Sequence, residues 1–313
     1  MGKVLITGAT GFIGANLARA LVDDHEVYLL LRSRKHAWRI ADILDRVQVA
    51  DADLLDAKGL ATALRRMRPE CIFHLAAYGA YPRTQTDAQS IFSTNIRGTF
   101  NLLQAARGVD YRCFVNTGSS SEYGIKSRPM RESDLLEPNT LYGISKAAAT
   151  MLCAHEAREQ GRPIVTLRPF SAYGYYEEPF RLVPSVILRC LRGEDVPLSS
   201  GEQKRDYVFI EDIVEAYRKA MRLKSPRGDV FNLGSGKDVS VREVATAIHA
   251  LARGKGRLLF GKMRRAAFDT ASCWKADTKK TAKVLGWKSR TVLKDGLQKT
   301  IRWFRENKAM YGQ

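Results

Sequence analysis

The sequence has no apolar run approaching the roughly 20 residues that a membrane span requires, and no charged-then-apolar leader opens it. A soluble, cytoplasmic protein with no membrane partner is therefore expected. Cysteine is scarce: Cys71, Cys113, Cys153, Cys190 and Cys273 are odd in number and widely scattered, with no CxxC pair and no neighbouring histidine cluster. That pattern excludes a disulfide framework and implies reduced packing residues without metal. No internal repeat or low-complexity tract is evident. Acidic residues are few against basic ones, 33 to 51, which leaves a net charge of +18. Part of the excess lies in "RSRKHAWR" (32–39) and "RGKGRLLFGKMRR" (253–265). A basic surface suits nucleic acid or an anionic membrane, but basic clefts also attract nucleotides and sugar nucleotides, and many single charges serve only solubility.

What the chain of 313 residues does have is a regular alternation of strand and helix patterns. "KVLITGATGFIGANLARALVDDHEVYLLLR" reads as strand, glycine turn, amphipathic helix and strand, the size of one βαβ unit. Strands at 46–54, 71–77, 112–118 and 164–170 follow, separated by helices through "LATALRRMRP", 95–108 and 142–160. This predicts an α/β fold, a Rossmann-type doubly wound parallel sheet. After Phe170 the rhythm gives way to loops rich in proline and glycine, where a smaller, interleaved region begins. "RDYVFIEDIVEAYRKAM" (205–221) and "GDVFNLGSG" (228–236) read as a return to the sheet.

Gly8, Gly11 and Gly14 stand between the first strand and the first helix, where glycine permits a tight turn and lets a pyrophosphate approach the helix N-terminal amides. By themselves they are equally a packing turn. The second strand ends in Leu31 and Arg32 with no carboxylate for a ribose, so a 2′-phosphate and NADP are favoured, with NAD as the alternative. Arg32, Arg34 and Lys35 are otherwise a solvated basic loop. Asp53 and Leu54 follow the third strand and flank an adenine, although Asp53 serves equally well as a helix cap. In "YGISK", Tyr142 and Lys146 share a helical face, where an ammonium lowers a phenol pKa from near ~10 and lets it exchange protons. "NTGSSSEYG" (116–124) sets three serines after a strand.

"TGATGFIG", "HLAA", "NIRGT", "SSSEYG", "YGISK", "RPFSAYG", "RDYVFIEDI" and "FNLGSG" come in an order that resembles extended short-chain dehydrogenases/reductases of the NAD-dependent epimerase/dehydratase family, over nearly the whole chain. The resemblance implies an enzyme acting on nucleotide-activated sugars, with a dinucleotide domain of 1–170 plus about 205–234 and a sugar-nucleotide domain of about 171–204 and 235–313. It implies Tyr142 as acid/base, Lys146 as the group that orients the nicotinamide ribose, and Ser119, or Ser120 in this shortened loop, at the reacting oxygen. The dinucleotide site it implies comprises Gly8, Thr10, Gly11, Phe12, Ile13, Gly14, Arg32, Asp53, Leu54, Leu75, Ala76, Ala77, Asn95, Thr117, Tyr142, Lys146 and Pro169. Tyr78, Ser119, Ser120, Glu122, Ser171, Arg181 and Arg205 are implied to face the sugar nucleotide, Arg205 at its pyrophosphate with a salt bridge to Asp206 or a neighbour as the bland alternative.

Two positions depart from the family pattern. Ser171 replaces a frequent asparagine, and Ser120 and Ser121 stand where dehydratases carry acids, unless the loop deletion brings Glu122 into that role. The function implied first is NADPH-linked reduction of a 4-keto-6-deoxyhexose, and the alternative is a 4-epimerase. Dehydration, or a non-catalytic dinucleotide sensor drawn to nucleic acid, is less favoured. A homodimer through the helices near 95–108 and 142–160 is also implied.

Overall fold

The structure, a computed structural model, describes residues 2–35, 37–81, 85–263 and 273–311. His36, residues 82–84 and residues 264–272 lie outside it, so parts of both basic stretches are not covered. Seven parallel strands form the central sheet among the described residues. They are β1 (Lys3–Thr7), β2 (Glu26–Leu31), β3 (Gln48–Asp51), β4 (Cys71–His74), β5 (Cys113–Thr117), β6 (Ile164–Pro169) and the late strand Arg227–Leu233. Their spatial order is β3, β2, β1, β4, β5, β6, then the late strand. The chain therefore winds outward from β1 in one direction and restarts at β4 in the other, which opens a crevice at the carboxyl ends of β1 and β4.

The central strands are largely apolar and buried because both faces of the sheet are covered. Side chains alternate between them. Leu5, Ile72, Phe114 and Ile164 meet helices Ala57–Met67, Gly98–Ala106 and Leu141–Glu159 through Leu60, Leu64, Leu102 and Cys153. Ile6, Phe73, Val115, Leu167 and Phe231 point the other way, into a core shared with α1 (Phe12–Leu21) and helix Ile210–Ala220.

The return to the sheet expected from 205–236 is made by Arg227–Leu233, which pairs with β6. Tyr207–Phe209 instead pairs with Ser171–Tyr173 in a separate two-stranded piece. Asp206 explains the detour: fully buried, it accepts the amides of Ser235, Gly236 and Ala276 at 2.6 to 3.0 Å, so it gathers later loops rather than joining the sheet. Helices Leu182–Arg192, Val241–Ala252 and Leu293–Glu306 pack together beyond it, completing the smaller region. Asp212 anchors its far end by accepting the Arg290 and Thr291 amides at 3.0 and 2.9 Å. The "RSRKHAWR" segment is not all loop, because Ala37–Arg46 winds as a 3-10 helix. No described helix is long and apolar enough to cross a membrane.

Candidate active site

Two cavities open at the carboxyl ends of the strands. The first, about 450 Å3, follows the glycine turn and the ends of β1 to β4. Its wall takes in Gly8, Thr10, Gly11, Phe12, Ile13, Gly14, Arg32, Asp53, Leu54, Leu75, Ala76, Ala77, Thr117, Tyr142 and Lys146. The second, about 280 Å3, is walled by Ser119, Ser120, Ser171, Arg181 and Arg205 among others. Thr117 and Tyr142 line both, so the cavities meet at the phenol.

The first cavity fits a dinucleotide. Gly8 has φ +73, and a Cβ there would lie 2.5 Å from the Ala76 amide nitrogen, while a Cβ on Gly14 would run into the Gly8 carbonyl. Only glycine brings the turn this close to β4 and to its own helix. Gly11 caps α1 without a side-chain bond, leaving the helix amides facing the groove, as a pyrophosphate requires. Arg32 is exposed at the cavity rim, and Arg34 turns away to Asp51 at 3.3 Å. Asp53 is not the cap of the following helix: Asp56 accepts the Gly59 amide at 3.0 Å, and Asp53 accepts that of Leu55 at 2.9 Å.

The serines are separated by their partners. Ser119 is the extended N-cap of the 3-10 turn Ser120–Glu122, and its Oγ accepts the Ser121 amide at 3.1 Å. Its hydroxyl acts on the Tyr142 phenol. Ser120 Oγ instead accepts Trp274 Nε1–H at 3.2 Å. Tyr142 and Lys146 stand on helix Leu141–Glu159, which begins where Thr140 Oγ1 accepts the Gly143 amide at 3.0 Å. Gly143 lets this helix close on the serine turn, since a Cβ there would meet Ser121 O at 2.5 Å.

The expected lowering of the phenol is reversed. Burial pushes Tyr142 up to about 12; the Ser119 hydroxyl pulls it down, Glu122 adds to the rise and Arg181 opposes it. Lys146 is itself buried, which lowers its pKa against the opposing pull of Glu122. Desolvation of both groups outweighs their spacing along the helix.

Four expected site residues stand elsewhere. Glu122 lines neither cavity. Fully buried, it accepts Arg168 Nε–H at 2.8 Å and the Ser119 amide at 2.7 Å, and burial raises its pKa against the pull of Arg168. Its side chain turns back into the protein, where it completes a capping box with Ser119. Asn95 also lines neither: its amide bonds both the N–H and the C=O of Tyr78 at 2.8 Å and donates to Ser145 Oγ at 2.8 Å. Tyr78 lines the first cavity and Pro169 the second, the reverse of their expected assignments, because the first lies after β4 and the second beyond β6.

Arg205 lies over the Trp274 ring at 5.0 Å, and its alternative partner Asp206 is taken up by backbone amides. Trp274, Glu177 and Tyr81 are second-cavity residues that the sequence reading missed. No local sequence pattern marks Trp274. His74, within "HLAA", is structural: its ring bonds Thr7 and Thr99 at 2.8 and 2.9 Å, and burial lowers its pKa to about 3.

A sequence model of the NAD dependent epimerase/dehydratase family matches residues 4–234. The chain belongs to this family. Among curated relatives of this epimerase/dehydratase-family enzyme is the UDP-glucose 4-epimerase of Mycolicibacterium smegmatis, 31% identical, with 97% of this chain and 98% of that one covered. Another is an Arabidopsis thaliana trifunctional UDP-glucose 4,6-dehydratase/UDP-4-keto-6-deoxy-D-glucose 3,5-epimerase/UDP-4-keto-L-rhamnose-reductase, 28% identical over 99% of this chain, of whose length the chain spans 48%. The UDP-glucuronic acid 4-epimerase of Bacillus cereus, solved with UDP-glucuronic acid and NAD, is 26% identical with a TM-score of 0.86, covering 97% of this chain and 99% of that one.

Arg168→Met leaves the Glu122 carboxylate buried without its cation, and urea denaturation should show a loss of about 3–5 kcal/mol. Glu122→Gln combined with Arg168→Met removes both charges and should lose clearly less. Equal losses would locate the stabilisation outside the pair.

Proposed function

We propose that the enzyme epimerises a nucleotide-activated hexose at C4. The observation that carries this reading is the meeting of the two cavities at Tyr142, with the Ser119 hydroxyl beside the phenol. In this reading Tyr142 moves the proton of the C4 oxygen, Ser119 donates a hydrogen bond to that oxygen as charge develops, and Lys146 holds the nicotinamide ribose. The dinucleotide, when bound, supplies the hydride acceptor and donor. With its pKa held near 12, Tyr142 is a neutral phenol at pH 7. It serves directly as a proton donor, and as a base once the phenol is lowered further, the role proposed for Lys146 on the same helix. Ser171 and Arg205 line the far wall, where a guanidinium suits the substrate pyrophosphate.

Dehydration is disfavoured, because the acid beside the serines, Glu122, is held by Arg168 away from both cavities. A second reading, reduction of a 4-keto-6-deoxyhexose, draws on the protonated phenol and on Arg32. Tyr142→Phe should lower turnover at least about a hundredfold while leaving sugar-nucleotide binding intact. In the same assay an epimerase shows no net change in dinucleotide, whereas stoichiometric NADPH oxidation with a 4-keto sugar nucleotide would establish the reductase. Unchanged turnover in the variant would refute both.

Residues 1–170 with about 205–234 are assigned to the dinucleotide and the remainder to the sugar nucleotide. Arg32 at the rim supports NADP. NADP should therefore raise the melting temperature more than NAD at equal concentration, and Arg32→Glu should invert that order; no change in order removes Arg32 from cofactor choice.

The enzyme is further proposed to be a cytoplasmic homodimer. Phe100, Ile144 and Met151 are exposed on the helices expected at the interface, a waste of apolar surface in a monomer. Light scattering should give twice the chain mass, and Met151→Glu should give a monomer; a monomeric wild type at micromolar concentration would count against the dimer.

A further inference from the structure

We infer that Glu177, paired with Arg181, makes the second cavity select an uncharged hexose over a hexuronate. The inference rests on the reading of that cavity as the nucleotide-sugar site, and sharpens it to a class of sugar.

Glu177 is 4% exposed and forms part of the cavity wall. Among the described residues, none is a hydrogen-bond partner of its Oε2. Arg181 Nε stands 3.6 Å from its Oε1. A buried carboxyl oxygen left unsatisfied is costly, and in a cavity wall it is a place where a ligand hydroxyl belongs. The backbone presents the residue firmly. Tyr176, immediately before it, is held at φ +63, a conformation a tyrosine adopts only under constraint. The constraint comes from Arg39 Nε–H, which donates to Tyr176 O at 2.7 Å, and from the Tyr311 hydroxyl, which donates to Glu177 O at 2.9 Å.

Arg181 acts on the Tyr142 phenol, so the pair stands near the reacting end of the site. Burial raises Glu177 to about 7; Arg181 and the Gly174 amide pull it down, and Glu178 adds to the rise. In either protonation state the group hydrogen-bonds a sugar hydroxyl, as acceptor or as donor. A hexuronate brings a carboxylate to the same wall. There it meets a like charge on the buried Glu177, and among the described residues the cation beside that carboxylate, Arg181, is already engaged by it. Glu177→Gln keeps the hydrogen-bonding shape and releases Arg181 to receive a carboxylate.

The test is titration calorimetry with UDP-glucose, UDP-glucuronic acid and their dTDP counterparts, on protein saturated with dinucleotide. In the wild type the glucuronide should bind at least about tenfold more weakly than the glucoside on the same base. In Glu177→Gln that ratio should shrink at least about tenfold, chiefly through tighter glucuronide binding. A wild type that binds the glucuronide as tightly as the glucoside overturns the inference, and this measurement needs no variant. So does a folded Glu177→Gln with an unchanged ratio. If none of the four nucleotide sugars binds the wild type, the nucleotide-sugar reading itself falls and the inference with it.

Discussion

The interaction on which the site depends is the buried ion pair between Glu122 and Arg168. Both side chains are almost completely withdrawn from solvent, and the carboxylate is further held by the Ser119 amide. Arg168 extends the network: its Nη1 donates to the Tyr123 hydroxyl at 2.8 Å, which donates to Asn232 Oδ1 at 2.7 Å, and Asn232 Nδ2 donates to Met130 O at 2.9 Å. One connected set of polar groups thus ties the serine turn after β5 to β6, to the late strand and to the loop that precedes helix Leu141–Glu159. A buried pair of this kind adds little net stability, because desolvation offsets its attraction. Its consequence is positional: Glu122 holds the Ser119 amide, and the Ser119 hydroxyl stands beside Tyr142.

Carboxylates organise this enzyme in two different ways. Glu122, Asp206 and Asp212 are acceptors for backbone amides or for a guanidinium, and each draws together segments distant in sequence. Glu177 is the contrasting case, buried to a similar degree with one oxygen unsatisfied. The difference follows from the company each keeps. The first three face the interior, where every donor is protein; Glu177 faces a cavity, where the missing donor belongs to a ligand. The positive charge of the chain reads the same way locally: Arg168 is an internal strut, Arg32, Arg181 and Arg205 line the two cavities, and Arg39 does both, lining the first cavity while it holds the Tyr176 carbonyl.

The βαβ rhythm, the glycine turn and the helix bearing Tyr142 and Lys146 were legible because each is a local pattern with one geometric solution. Apolar strands of this length, joined by helices, have to be covered on both faces, and glycines at positions 8 and 14 leave room that no other residue does. The family followed from the order of those motifs, and the matching family model bears it out. Glu122 was harder to place, since its role depended on which way a shortened loop turned. Trp274, Glu177 and Arg39 were invisible, because nothing adjacent in sequence marks them and each acts on a segment distant in the chain.

By itself the sequence determined the sheet, the dinucleotide-type groove and the pair of serine and tyrosine candidates, all of them products of short-range periodicity and backbone permission. Tertiary structure alone decided that Ser119 faces the phenol while Ser120 is bound by Trp274, and that Glu122 is a strut. It also decided that burial raises Tyr142 where helical spacing by itself pointed to a lowered pKa. The reason is physical: hydrogen-bond partners and desolvation depend on what the folded chain brings from far away, and neither is encoded in the residues on either side.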